Sequence, residues 1–168
     1  MGRSNYLVEG LSGTGKTSVC DELLRRGIQA IHGDRELAYP GDRLTGEPLA
    51  TSGRDDHIWD VAKVRALVAD QTHERTFFCG GSRNFPAFVD AFDAVFVLEV
   101  DLPTLHRRLD ARPDTEWRDG EPTDRALIVR WHGTKETVPI GIPIDATAPI
   151  DQVVDEIMRR CVRDDSAR

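Results

Sequence analysis

The stretch Gly10-Leu11-Ser12-Gly13-Thr14-Gly15-Lys16-Thr17 limits what this chain can fold into more than any other. It matches G-x-x-x-x-G-K-[ST], the phosphate-binding loop, or Walker A motif. Strand-compatible Tyr6-Leu7-Val8-Glu9 runs into it, and Val19, Leu23 and Leu24 follow at helical spacing. The local order is therefore strand, glycine turn, helix, which is the context the motif needs. Gly10, Gly13 and Gly15 allow backbone conformations closed to other residues and bring the N–H groups of Ser12 to Thr17 toward phosphate oxygens. The helix starting near Lys16 points the positive end of its dipole at the same anion, with Ser18 in its first turn. Lys16 adds a full charge that reaches the β- and γ-phosphates, and the Thr17 hydroxyl is a ligand for Mg²⁺. ATP with Mg²⁺ is the expected nucleotide.

A length of 168 residues fits one domain, taken here as 1–168, with room for a real core. At 39% hydrophobic and 30% charged, the chain has the composition of an ordinary globular protein. The net charge of −7 argues against a general affinity for nucleic acid or anionic membrane. No apolar run approaches the roughly 20 residues of a membrane span, and the motif follows the N-terminus too closely to leave room for a signal peptide. Cys20, Cys79 and Cys161 are far apart, which gives neither zinc spacing nor a disulfide framework. They read as reduced, mostly buried thiols of a cytoplasmic protein, acting as a monomer or homodimer.

Along the chain, Ile28–His32 reads as a second strand ending in Gly33-Asp34-Arg35-Glu36. Open parallel sheets bind ligands at such carboxyl ends. Asp34 is there either as a base toward an acceptor hydroxyl and a holder of Mg²⁺, or as a cap of the next helix. The Gly- and Pro-rich stretch from Tyr39 to Arg54 reads as a long loop. It leads into Asp55–Ala69, where Ile58, Val61, Val64, Leu67 and Val68 recur at helical period. Arg54, His57 and Trp59 fall at the start of that expected helix, so about 39–70 is an insertion that meets the acceptor. Thr76-Phe77-Phe78-Cys79 is a strand buried on both faces, broken by Gly80-Gly81-Ser82-Arg83. The glycine pair lets a group approach the backbone, and Arg83 is a candidate for an anionic end of the acceptor. Phe85, Phe88, Val89 and Phe92 continue as a helix.

A further buried strand, Ala94–Val100, precedes a helix over Leu102–Arg112. Arg108 and Arg112 lie four residues apart on one face of it, where like charges favour a bridging anion. About 113–123 reads as a polar lid, and Thr123–Lys135 as a helix returning Arg125 and Arg130 to the sheet, with Trp131 and His132 as packing. Gly141–Asp145 is a last strand whose proline suggests an edge. Asp145–Pro149, including Ala148, forms a loop before a final helix. The alternation predicts an α/β three-layer sandwich around a parallel five-stranded sheet with a helical lid.

Taken together, the phosphate loop, the Asp34 segment, Gly80–Arg83 and the Arg108/Arg112 pair resemble the small P-loop kinases. These include the nucleoside-monophosphate, shikimate and gluconate kinases. The resemblance implies transfer of the γ-phosphoryl group of ATP to a small-molecule acceptor. It places Asp34 at acceptor and Mg²⁺, Gly80, Gly81 and Arg83 at the acceptor, the two lid arginines at adenine and phosphates, and Ala148 beside the adenine. Only two glycines follow the third strand, and no Gln stands where adenylate kinases read AMP. The acceptor expected first is a nucleoside or nucleotide, which would use an aromatic set of Phe85, Trp59 and His57. A sugar acid or polyol would instead use Asp34, Arg54 and Arg83, and an antibiotic-modifying or toxin-type phosphotransferase is also compatible. A nucleotide switch or ATPase is the alternative from another class. Against it, the only apolar run ending in an acid of the kind ATPase machines use is Val100-Asp101, and Asp101 reads as a helix cap.

Overall fold

Residues 2–50, 53–117 and 121–165 are described by a computed structural model, apart from the side chains of Arg54, Glu121 and 162–165. Five strands form one parallel sheet: β1 (Gly2–Gly10), β2 (Gln29–His32), β5 (His73–Cys79), β6 (Ala94–Glu99) and β7 (Ile142–Asp145). Their spatial order is β2-β5-β1-β6-β7, so β1 is central and the chain reverses its direction of travel across the sheet beside it. Such a switch point opens a crevice at the carboxyl ends of the strands. The phosphate loop emerges there.

Alternation along the central strands divides the core. Tyr6, Val8, Phe77, Phe96 and Leu98 face one side, with α1 (Lys16–Arg25), α4 (Leu102–Asp110), α5 (Glu121–Thr134) and α6 (Ile150–Asp165). Leu7, Ile31 and Phe78 face the other, against α3 (Val61–Ala69), Trp59, Phe88 and Phe92. A strand buried on both faces needs apolar residues at both parities, and Phe77-Phe78 and Tyr6-Leu7-Val8 supply them. Cys20, Cys79 and Cys161 are buried and not in disulfides, as expected. Asp101 caps α4 through the Thr104 N–H at 2.8 Å, which agrees with its reading as a cap. Pro143 lies on β7, an edge of the sheet. No helix among the described residues is long and apolar enough to cross a membrane.

Two segments depart from expectation. Between β2 and α3 stand a four-residue helix, α2 (Gly33–Glu36), and an antiparallel ribbon of β3 (Ala38–Pro40) and β4 (His57–Trp59). His57 and Trp59 therefore belong to a strand, not to a helix start. Asp60 separates that strand from α3, its carboxylate accepting the Lys63 N–H at 2.9 Å. Phe85–Phe92 is not a helix but two 3₁₀ turns, Phe85–Ala87 and Val89–Ala91. Residues three apart align in both helix types, so the apolar spacing alone does not separate them.

Candidate active site

The strand ends open into a cleft of about 790 Å³. The phosphate loop forms its floor: Gly10, Ser12, Gly13, Thr14, Gly15, Lys16, Thr17 and Ser18 all line it. Gly15 caps α1 with φ 103°, a left-handed conformation that a residue with a side chain rarely adopts. At Gly10 a Cβ would stand 2.8 Å from the Leu98 carbonyl oxygen, so the loop is closely backed by β6. The Lys16 ammonium donates to the carbonyls of Gly10 at 2.6 Å and Leu11 at 3.0 Å. Burial lowers its pKa, against the opposing charges of Asp34 and Glu9. Thr17 and Ser18, in the first turn, are exposed to the cleft.

Arg108 and Arg112 close one side. Arg108 donates to the carbonyls of Gly13 at 3.1 Å, Thr14 at 2.9 Å and Ala146 at 2.7 Å, tying the phosphate loop to the segment after β7. The Arg112 guanidinium donates to Ser12 Oγ at 2.9 Å and lies 4.7 Å from the centre of the Trp117 ring. Ala146, Ala148, Ile150 and Val153 add an apolar wall beside them. Arg125 and Arg130, expected to return toward the nucleotide, are directed elsewhere, because each meets an acid on its own side of the fold. Arg125 pairs with Asp110 at 2.5 Å and Arg130 with Glu136 at 3.6 Å. Pro113, Thr115 and Glu116 of the expected lid line the cleft, while residues 118–120 fall outside the described part of the chain.

Across from the loop, Asp34, His57, Gly81 and Arg83 form the other half. Asp34 is not a cap: α2 begins at Gly33 and its N-cap is His32. The Asp34 Oδ1 accepts from the Gly81 N–H at 2.9 Å and Trp59 Nε1 at 3.4 Å, and lies 3.0 Å from His57 Nε2. Burial works to raise the Asp34 pKa, but the His57 hydrogen bond and the charges of Lys16 and His57 outweigh it and hold the carboxyl below its ordinary value. Arg83 stacks 4.6 Å over the Trp131 ring and donates to the Thr137 carbonyl at 3.2 Å. Trp131, read from sequence as packing, is thus the platform that orients Arg83.

Gly80 does admit a close approach, but by the protein's own groups, whereas Gly81 lines the cleft. A Cβ on Gly80 would lie 2.5 Å from Trp59 Cζ2 and 2.7 Å from Asp34 Oδ1. Trp59 is fully buried and stacked on Phe88, and Phe85 packs on the same core cluster. Of the expected aromatic set only His57 lines the cleft. The side chain of Arg54 lies outside the described residues.

Sequence reasoning missed Glu9 as a site residue. It is 2% exposed beneath the loop, with Oε2 accepting the Gly10 N–H at 2.6 Å and Oε1 the Ser82 N–H at 3.3 Å. Burial raises its pKa to about 7, against the lowering influence of Lys16, Arg83 and those two N–H groups. The available signal was a carboxylate at the end of an otherwise apolar core strand.

No family model matches this sequence, and no curated protein matches it. Solved structures do. A gluconokinase from Sinorhizobium meliloti 1021 aligns over 95% of this chain and 92% of its own at TM-score 0.61 and 20% identity. An unliganded sugar kinase from Janibacter sp. HTCC2649 aligns over 93% and 92% at TM-score 0.58 and 17% identity. Shikimate kinase from Aquifex aeolicus vf5 aligns over 98% and 99% at TM-score 0.53 and 16% identity. The chain shares the parallel α/β fold of these three structures along essentially its whole length.

Proposed function

We propose that this chain is an ATP-dependent small-molecule kinase acting through one domain over 1–168, with a hydroxylated acceptor of the sugar-acid or polyol kind. The observation that carries the proposal is the pairing, across one cleft, of a complete phosphate loop with the polar set Asp34, His57 and Arg83. No aromatic ring other than His57 stands among the described lining residues. A nucleoside acceptor needs a stacking face, so the polar acceptor fits better. The likeness to a gluconokinase and a sugar kinase supports the same choice.

In this reading the amides of Ser12 to Thr17 and the Lys16 ammonium hold the triphosphate, with Arg108 and Arg112 beside it. The exposed Thr17 hydroxyl and the Asp34 carboxylate fit a hard cation in their chemistry and would hold Mg²⁺. When bound, Mg²⁺ neutralises phosphate charge. Arg83, with Arg54, meets the anionic or polar end of the acceptor and Asp34 its hydroxyl. The acceptor oxygen bonds to the γ-phosphorus, the bond to the β–γ bridging oxygen breaks, and the hydroxyl proton passes to Asp34 as ADP leaves. The arginines stabilise charge developing between the two oxygens. Closure of residues 113–123 excludes water, which otherwise diverts the transfer to hydrolysis.

The test is ADP release from Mg·ATP against separate pools of sugar acids and polyols, nucleosides, nucleotides and aminoglycosides, with Lys16→Ala as the control. Stimulation by the sugar-acid and polyol pool alone, lost in the control, is the expected result. Stimulation by nucleosides or nucleotides would overturn the acceptor class, and slow release indifferent to every pool would indicate a switch or ATPase.

A further inference from the structure

Glu9 does not line the cleft and has no part in the phosphoryl transfer above, yet it is a nearly inaccessible carboxylate at its base. Strands β1 and β5 pair as far as Val8 and Cys79, so Glu9 stands where they part into the phosphate loop and the loop 80–84. A buried carboxylate is costly unless hydrogen-bonded, and the two donors it finds come one from each loop: Gly10 N–H and Ser82 N–H. The amide just before the second, Gly81 N–H, goes to Asp34. Two successive amides of the acceptor loop are therefore held by carboxylates from two different strand ends. Lys16 interacts electrostatically with both carboxylates. A Cβ on Gly81 would lie 3.3 Å from Glu9 Oε1 and 3.6 Å from Lys16 Cε, so these groups converge on one point.

We propose that Glu9 is a positioning residue that couples the two halves of the cleft, its carboxylate tying the phosphate loop to the acceptor loop so that drawing Lys16 onto a triphosphate resets Gly81 to Arg83. The proposal rests on triphosphate binding at the phosphate loop. The charged groups facing Glu9 are Lys16 from α1 and Arg83 from the acceptor loop, with the Gly10 and Ser82 amides as its hydrogen-bond donors. A triphosphate draws the ammonium off the Gly10 and Leu11 carbonyls and brings negative charge close by. Both changes favour the protonated carboxyl. Its pKa already stands at about 7 in the free protein, so ligand entry near neutral pH is accompanied by proton uptake. A protonated carboxyl carries a donor of its own and serves two N–H groups less well. The longer contact, 3.3 Å to Ser82, is the one to give way.

The experiment is calorimetric titration with AMP-PNP and Mg²⁺ at pH 7 in buffers of different ionisation heat, combined with amide hydrogen exchange over residues 78–85. Wild-type protein should take up about 0.2–0.5 proton per site, with exchange at Ser82 speeding several-fold on binding. Glu9→Gln should show neither response while melting cooperatively, and Glu9→Asp, which keeps the charge, should restore the uptake. AMP-PNP binding to wild type with no proton uptake and unchanged exchange at Ser82 would overturn the coupling and leave the nucleotide site standing. The same two responses persisting in Glu9→Gln would overturn it equally. Failure of wild type to bind AMP-PNP would remove both the coupling and the proposed function.

Discussion

Replacing Gly80 with alanine probes how tightly the acceptor side is assembled. The new methyl carbon would stand 2.5 Å from Trp59 Cζ2 and 2.7 Å from Asp34 Oδ1, where an unstrained carbon contact is about 3.5–4.0 Å. Trp59 has nowhere to go. Its ring stacks on Phe88 at 5.5 Å with planes 4° apart, and Gly33 also lies against Cζ2. Overpacking of this kind costs about 1–3 kcal/mol. Pushing Asp34 off the Gly81 amide adds roughly 1.5–3 kcal/mol for a hydrogen bond to a charged group. At about 2–4 °C per kcal/mol for a chain of this length, the melting temperature should fall by roughly 5–25 °C. The decisive assay is a double-mutant cycle with Trp59→Phe, followed by thermal and urea unfolding. The smaller ring relieves the clash, so the double variant should be more stable than the summed single costs by at least about 1 kcal/mol. Costs that add within about 0.5 kcal/mol, or a Gly80→Ala protein that melts with wild type, would refute this account of the site.

Two further outcomes follow from the same geometry. Asp34→Ala should lower ADP release with acceptor by about 10²–10⁴-fold while affinity for AMP-PNP in the absence of Mg²⁺ changes little; a collapse of that affinity in calorimetry would contradict its place on the acceptor side. Glu9 makes stability depend on pH in a direction unusual for a carboxylate with hydrogen-bond partners. Its pKa rises from the ordinary 4.5 to about 7, so between those values the folded protein holds a proton that the unfolded chain has lost, and stability falls as pH rises. A rise of that size is worth roughly 3 kcal/mol. Urea unfolding from pH 5 to pH 8 should show wild type losing about that much relative to Glu9→Gln; a constant difference between the two would refute the assignment.

Much of this arrangement was legible in the residues themselves. The phosphate loop has fixed positions that serve one ligand chemistry, and it lies between a strand and a helix whose periods differ plainly. Phe77-Phe78 and Ala94–Val100 are too continuously apolar to be anything but buried strands, and Pro143 announced an edge. The ribbon was hidden because Ile58, Val61, Val64, Leu67 and Val68 satisfy a helical period although Ile58 belongs to a strand. That strand is only three residues long and is held by distant partners: Trp59 N–H donates to Ser82 Oγ and Asn84 Oδ1, and Arg83 N–H to the His57 carbonyl. Bonds across some twenty-five residues leave no local trace. The role of Trp131 was equally hidden, since a platform for Arg83 and a core tryptophan look alike until the guanidinium is seen above the ring.

The margins of the sheet bear on how copies of this protein can meet. Its two outermost strands, β2 and β7, run four residues each, and β7 carries Pro143 where another residue would offer a donor. Short borders interrupted by an imino acid are poor templates for a neighbouring strand. Extension of this sheet from one molecule to another is thereby disfavoured.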